Sequence, residues 1–138
     1  MTLKGSLIGV AVVSVLLYFL DWGFYMLIMP VPEEMMEQLG ALMYNEETMP
    51  NPVWYLLMEF AGAGLLAFAV LQKELSTMQV FQRGVIVFTC IVAAIDVSWG
   101  MSLNVTYPMS GLFIELAYKA IGGGVMAIVM VMTAKKFS

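Results

Sequence analysis

The chain contains no histidine, and only 12% of its 138 residues are charged, against about 25% in an ordinary soluble domain. Its net charge of −4 and the lack of a basic stripe argue against a nucleic-acid partner. The single cysteine, Cys90, allows no disulfide within the chain. No G-x-S-x-G, Rossmann or P-loop pattern is present, so an enzyme is the less favoured class, and we expect neither a cofactor nor a metal site.

What the chain does contain is long apolar runs, since 62% of its residues are hydrophobic. Four runs, at about 6–29, 53–72, 80–104 and 109–134, reach the roughly 20 residues that a helix needs to cross a bilayer. The first run is too long for the apolar part of a cleaved signal peptide. The sequence therefore predicts an all-α integral membrane protein, a bundle of four transmembrane helices forming one domain over residues 1–138.

The basic residues predict the orientation of this bundle. They precede the first run, flank the connection between the second and third runs, or close the chain, as Lys4, Lys73, Arg83, Lys135 and Lys136. Because basic residues favour the cytoplasmic side, we expect both termini there. The protein is accordingly predicted to be a multi-pass cell-membrane protein, and the lack of sorting signals favours a prokaryotic inner membrane.

The longest connection, 30–52, is predicted to lie on the outer side and contains no lysine or arginine. After Pro32, apolar residues recur at helical spacing, as Met35, Met36, Leu39, Leu42 and Met43. This pattern predicts a short amphipathic helix on the outer surface, either lying on the membrane or capping the bundle.

Five ionisable residues interrupt the apolar runs: Asp21, Glu59, Asp96, Glu115 and Lys119. One charge at the centre of a bilayer costs about 2.5–3.5 kcal/mol, so these side chains are expected to face one another, water or a ligand. Glu59 and Glu115 each follow a proline, Pro52 or Pro108, by seven residues. Counting 1.5 Å per residue, the four carboxyl groups lie about 10–12 Å below the outer surface, and Lys119 lies one turn deeper. The sequence thus predicts one charged layer in the outer half of the bilayer.

Aromatic, polar and small residues follow the same helical faces as the charges. The aromatic residues predicted to line the layer are Tyr18, Trp22, Tyr25, Tyr55, Trp99 and Tyr118. Small residues allow close helix packing in lipid, so the runs 61–64 and 122–124 are predicted to form tight contacts.

Three functions remain open for this layer. Asp21, Glu59 and Asp96 could bind protons or cations for translocation, tuned by Glu115 and Lys119. Transport by so small a chain would require a homo-oligomer or a larger membrane complex. Alternatively, the charges are a packing network in a structural or accessory subunit, with Glu115 and Lys119 paired at i, i+4 on one helix. A lipid-active enzyme that uses carboxyl groups alone is the third alternative.

Overall fold

The computed structural model describes residues 1–30, 33, 34, 37, 51–72, 74–102 and 109–138, with the backbone alone at 97–102, 109 and 110. Helix α1 spans Leu3–Gly23 and continues as a π-helical segment, Phe24–Ile28. Three further helices follow: α2 at Pro52–Val70, α3 at Thr77–Ser102 and α4 at Met109–Lys136. No strand occurs in these ranges. The amphipathic helix predicted for the connection 30–52 lies outside the described residues.

All four helices are long and apolar enough to cross a membrane. Their spanning parts contain 26, 19, 20 and 26 residues, with mean hydropathies of 2.1, 1.8, 1.7 and 1.6. A helix rises about 1.5 Å per residue, so even the shortest of these parts is nearly as long as the roughly 30 Å hydrocarbon core is thick. The prediction of an all-helical chain with four candidate membrane spans is confirmed.

Local polar contacts define where the first two helices begin and where the second ends. The Thr2 hydroxyl accepts a hydrogen bond from the Gly5 N–H at 3.1 Å. The Asn51 side chain accepts one from the Val53 N–H at 3.0 Å, next to a proline in the first turn, where no N–H is needed. At the other end of α2, the Arg83 guanidinium donates to the Ala69 carbonyl at 2.8 Å. These contacts provide hydrogen-bond partners for backbone N–H and C=O groups that have none within the helix at its ends.

Helix α4 is the hub of the bundle. It packs along α3 and α1 and also touches α2, while α2 packs against α1 and α3. In the part of the chain that the structure describes, α1 and α3 lie diagonally across the bundle and do not pack on each other. The fully buried side chains Val13, Leu66 and Met130, one each from α1, α2 and α4, meet in a single apolar core.

Glycines allow the close approach of α4 to its two main neighbours. A Cβ atom added to Gly84 would lie 2.2 Å from the Gly123 carbonyl oxygen, which marks the crossing of α3 and α4. At the crossing of α1 and α4, a Cβ atom on Gly5 would lie 2.4 Å from the Ala134 carbonyl oxygen. Such distances leave no room for any side chain, so both crossings depend on glycine.

The prediction of tight contacts along both small-residue runs is only partly right. A Cβ atom on Gly124 would lie 2.4 Å from the Phe81 ring. By contrast, a Cβ atom built on Gly62, Gly64 or Gly122 would meet no atom within 4 Å from the rest of the described residues, apart from its own helix backbone. Helical geometry explains the difference, because neighbouring residues point about 100° apart and a continuous run cannot all face one partner.

Both chain ends lie at one end of the bundle, beside the connection between α2 and α3. The Thr2 N–H donates to the Ser138 hydroxyl at 3.0 Å. A cavity of about 610 Å³ at this end is lined by Met1, Val70, Leu71, Gln72, Glu74, Leu75, Val80, Val131, Lys135 and Ser138. The charged residues of the spans lie towards the opposite end. The two termini lie at the same end of the bundle, as expected when successive helices run in opposite directions. The location of this end in the cytoplasm stays a prediction.

Candidate functional site

A buried ion pair between α1 and α4 forms the centre of the candidate site. The Lys119 ammonium contacts Asp21 Oδ2, and each of the two side chains is 12% exposed. The Tyr118 hydroxyl donates to the other oxygen, Asp21 Oδ1, at 2.8 Å. Both carboxylate oxygens are therefore bound by donors from α4, which ties the end of α1 to that helix.

The backbone widens directly after Asp21. The Phe24 N–H donates to the carbonyls of both Asp21 and Leu20, and the Met29 N–H donates to the Phe24 carbonyl at 2.9 Å, five residues back. Such π-helical turns within α-helices are rare and occur frequently at functional sites. Here the π-helical segment begins three residues after Asp21 and contains Tyr25, another predicted lining residue, so it affects where the Tyr25 side chain lies.

Two aromatic residues of this π-helical segment contact α4. The Phe24 ring stacks on the Tyr118 ring, with centroids 3.8 Å apart and planes 3° from parallel. The Tyr25 hydroxyl donates to Glu115 Oε1. Phe24 is absent from the predicted lining residues, although its position three residues after Asp21 places it on the same helical face and could have revealed it.

Aromatic rings also flank the Lys119 ammonium. Its nitrogen lies 5.7 Å from the centroid of the Tyr25 ring and 5.6 Å from that of the Tyr118 ring. Both distances are within the roughly 6 Å over which a cation and an aromatic face attract each other. The ammonium group is thus held by a carboxylate and by two aromatic rings.

A second buried carboxyl group, that of Glu59 on α2, lies against this ion pair. Glu59 is only 7% exposed. Its carboxyl group is close enough to Asp21 and Lys119 to interact electrostatically with both. Three helices therefore contribute to one cluster, which contains Asp21, Glu59, Tyr118 and Lys119 and is called here the Asp–Lys centre.

The remaining predicted carboxyl groups, Asp96 of α3 and Glu115 of α4, are close enough to interact electrostatically. Asp96 Oδ2 is buried and has no hydrogen-bond partner among the described residues, and the same holds for the Thr89 hydroxyl, two turns away on α3. Unpartnered polar atoms are rare in protein interiors. Packing alone would favour apolar residues at the positions of Asp96 and Thr89, so this face of α3 is more polar than packing requires.

The other predicted lining residues lie further out. Tyr18 is half-buried, and its ring meets the Phe19 ring edge-on at 5.4 Å. Trp22 is 58% exposed and Tyr55 is 44% exposed, so both rings lie largely on the surface of the single chain. The Trp99 side chain lies outside the described part. The lining role of these four residues stays a prediction.

Lys119 forms an ion pair with Asp21 on another helix, a partner that the spacing along α4 did not indicate. The predicted i, i+4 pairing of Glu115 with Lys119 stays a prediction. Over the residues that the structure describes, no group of three His, Cys, Asp or Glu side chains is placed to hold a metal ion.

These features fit a small multi-pass membrane protein: the described residues contain four helices apolar enough to cross a membrane and a buried ion pair between the first and the last of them. Neither a protein-family model, nor a curated protein, nor a solved structure matches the chain. Arguments about its function therefore depend on the geometry of the Asp–Lys centre.

Proposed function

We propose that the protein binds protons or cations at the Asp–Lys centre and translocates them across the membrane. The observation that carries this proposal is the position of Glu59. Its buried carboxyl group lies against an Asp21–Lys119 pair that is already neutral as a whole.

The charge balance of the centre supports reversible binding. Asp21 and Lys119 compensate each other, which leaves Glu59 without a second buried cation among the described residues. An uncompensated charge in the membrane costs about 2.5–3.5 kcal/mol or more. Glu59 must therefore either hold a proton or bind a cation. A carboxyl group that can do both can exchange a bound proton for a bound cation.

Asp96 and Glu115 supply a second pair of carboxyl groups. Glu115 accepts a hydrogen bond from Tyr25, whose ring faces the Lys119 ammonium, so the two carboxyl pairs are linked through one tyrosine. In the proposed function this second pair exchanges protons or cations between the Asp–Lys centre and the outer aqueous phase. A bundle of four helices offers little bulk for alternating access, so the proposal includes assembly into a homo-oligomer or a larger membrane complex in a cell membrane.

The test compares Glu59→Gln with the wild-type protein in liposomes that contain a pH-sensitive dye. Glutamine has nearly the shape of glutamate and can still donate to Asp21, but it carries no exchangeable acid proton. We expect wild-type proton uptake, driven by an imposed potential, to exceed that of protein-free liposomes, and Glu59→Gln to lower the excess by about tenfold or more. Glu74→Gln is the matched control, because Glu74 is an exposed carboxyl at the opposite end.

The alternative is a packing network in a structural or accessory subunit. It is favoured by the complete hydrogen bonding of Asp21, whose two oxygens are both occupied by α4 donors. In that case the wild-type protein gives no flux above protein-free liposomes, and Glu59→Gln changes only the stability of the fold. Equal flux through wild type and Glu59→Gln would also contradict the proposed proton site.

A further inference from the structure

We propose that the cation recognised by the Asp–Lys centre is a primary ammonium ion, which takes the place that the Lys119 head group occupies in this structure. This inference rests on the proposed function and names its substrate class. In this view the lysine is a tethered occupant of a site for small alkylamines.

The surroundings of the Lys119 nitrogen are those that a free primary ammonium ion requires. It contacts the Asp21 carboxylate, and the Glu59 carboxyl group lies within electrostatic range. The rings of Tyr25 and Tyr118 lie 5.7 and 5.6 Å from it. Carboxylate acceptors satisfy the N–H donors, while aromatic faces stabilise the charge and contact the neighbouring carbon atoms.

A metal cation fits these surroundings less well. Hard cations such as Ca²⁺ bind six to eight oxygen atoms, and Mg²⁺ demands near-octahedral oxygen geometry. Across the described ranges no three carboxyl, imidazole or thiol side chains converge on one point. Two of the nearest neighbours of the nitrogen are rings, which offer a π face and no strong oxygen ligand. The geometry thus favours an organic ammonium ion over a metal ion.

The exchange conserves charge when Lys119 loses its proton. An alkylammonium ion enters, the lysine ammonium becomes a neutral amine, and one proton leaves, so the net charge of the centre is unchanged. The groups that face this exchange are Asp21 from α1, Tyr25 from the π-helical segment, Glu59 from α2, and Tyr118 and Glu115 from α4, with Asp96 of α3 beside Glu115. Amine movement in one direction is then coupled to proton movement in the other.

The direct test removes the tethered occupant. Lys119→Ala deletes three carbon atoms and the nitrogen, which are the atoms of n-propylammonium. We expect n-propylammonium to raise the thermal unfolding midpoint of the detergent-solubilised variant by about 5 °C at ten times its Kd. n-Propanol, a neutral molecule of the same shape, and sodium chloride at equal ionic strength should not raise it.

Two protein controls make this test specific. Lys136→Ala removes an exposed lysine from the same helix, far from the carboxyl groups, and should respond to the amine no more than the wild-type protein does. Adding Asp21→Asn to Lys119→Ala removes the ion-pair acceptor and should abolish the response. A rise with sodium chloride equal to that with the amine, or no rise with any cation, overturns the inference.

The wild-type protein provides a second measurement that remains decisive if Lys119→Ala does not fold. Isothermal titration with n-propylammonium in two buffers of different ionisation enthalpy counts the protons exchanged. We expect about one proton released for each amine bound, and absence of binding overturns the inference. Wild-type proton flux without amine binding refutes this inference alone, whereas amine binding without any flux refutes the proposed translocation.

Discussion

Replacing Lys119 with methionine should destabilise the protein strongly. Methionine keeps much of the apolar stem but removes the cation that compensates the Asp21 carboxylate. Because each side chain of the pair is only 12% exposed, water cannot replace the lost partner. Breaking a buried ion pair in this way typically costs about 3–5 kcal/mol.

A double-mutant cycle separates this effect from general damage. Asp21→Asn keeps an oxygen that can accept the 2.8 Å hydrogen bond from Tyr118 while removing the charge. The double variant Asp21→Asn, Lys119→Met leaves no uncompensated charge from the pair. We expect it to be more stable than the sum of the single losses predicts, by about 2–3 kcal/mol.

The free energy of unfolding is measured by circular dichroism as sodium dodecyl sulfate is titrated into detergent micelles. Lys136→Met, at an exposed position on the same helix, should stay within about 0.5 kcal/mol of wild type. Additive single and double losses would refute the ion pair as the source of the stability.

Two further predictions use matched substitutions in α4. Tyr118→Phe should lower the free energy of unfolding by about 1–2 kcal/mol, since it removes the hydrogen bond to Asp21 but keeps the ring; an unchanged value in the same titration would contradict the bond. Gly123→Ala should destabilise by about 1–3 kcal/mol, because the added carbon would lie 2.6 Å from Phe88 Cβ. Gly122→Ala, with no atom within 4 Å, is its control and should be neutral or slightly stabilising; equal effects of the two alanines would contradict the packing.

The number and kind of helices followed from the sequence because one bulk property decides them. A run of about 20 apolar residues has no stable place in water, and in lipid its backbone must satisfy its own hydrogen bonds. The run lengths thus predict four helices without knowledge of how they pack, and the structure contains four that are long and apolar enough. The same local rule allowed Asp21, Glu59 and Lys119 to be selected, because a charge within such a run is costly wherever its helix lies.

The partners of these charges depended on packing. Spacing along α4 points to Glu115 as a neighbour of Lys119 and gives no sign of Asp21, which the contact of α1 with α4 brings to the ammonium. That contact needs Gly5, whose replacement would collide with the backbone of α4, and it brings the π-helical turn after Asp21 onto Tyr118. Composition therefore determined the helices and the polar residues within them, whereas the crossing of the helices decided which carboxyl group meets the lysine, since an ion pair forms only where two backbones come close enough.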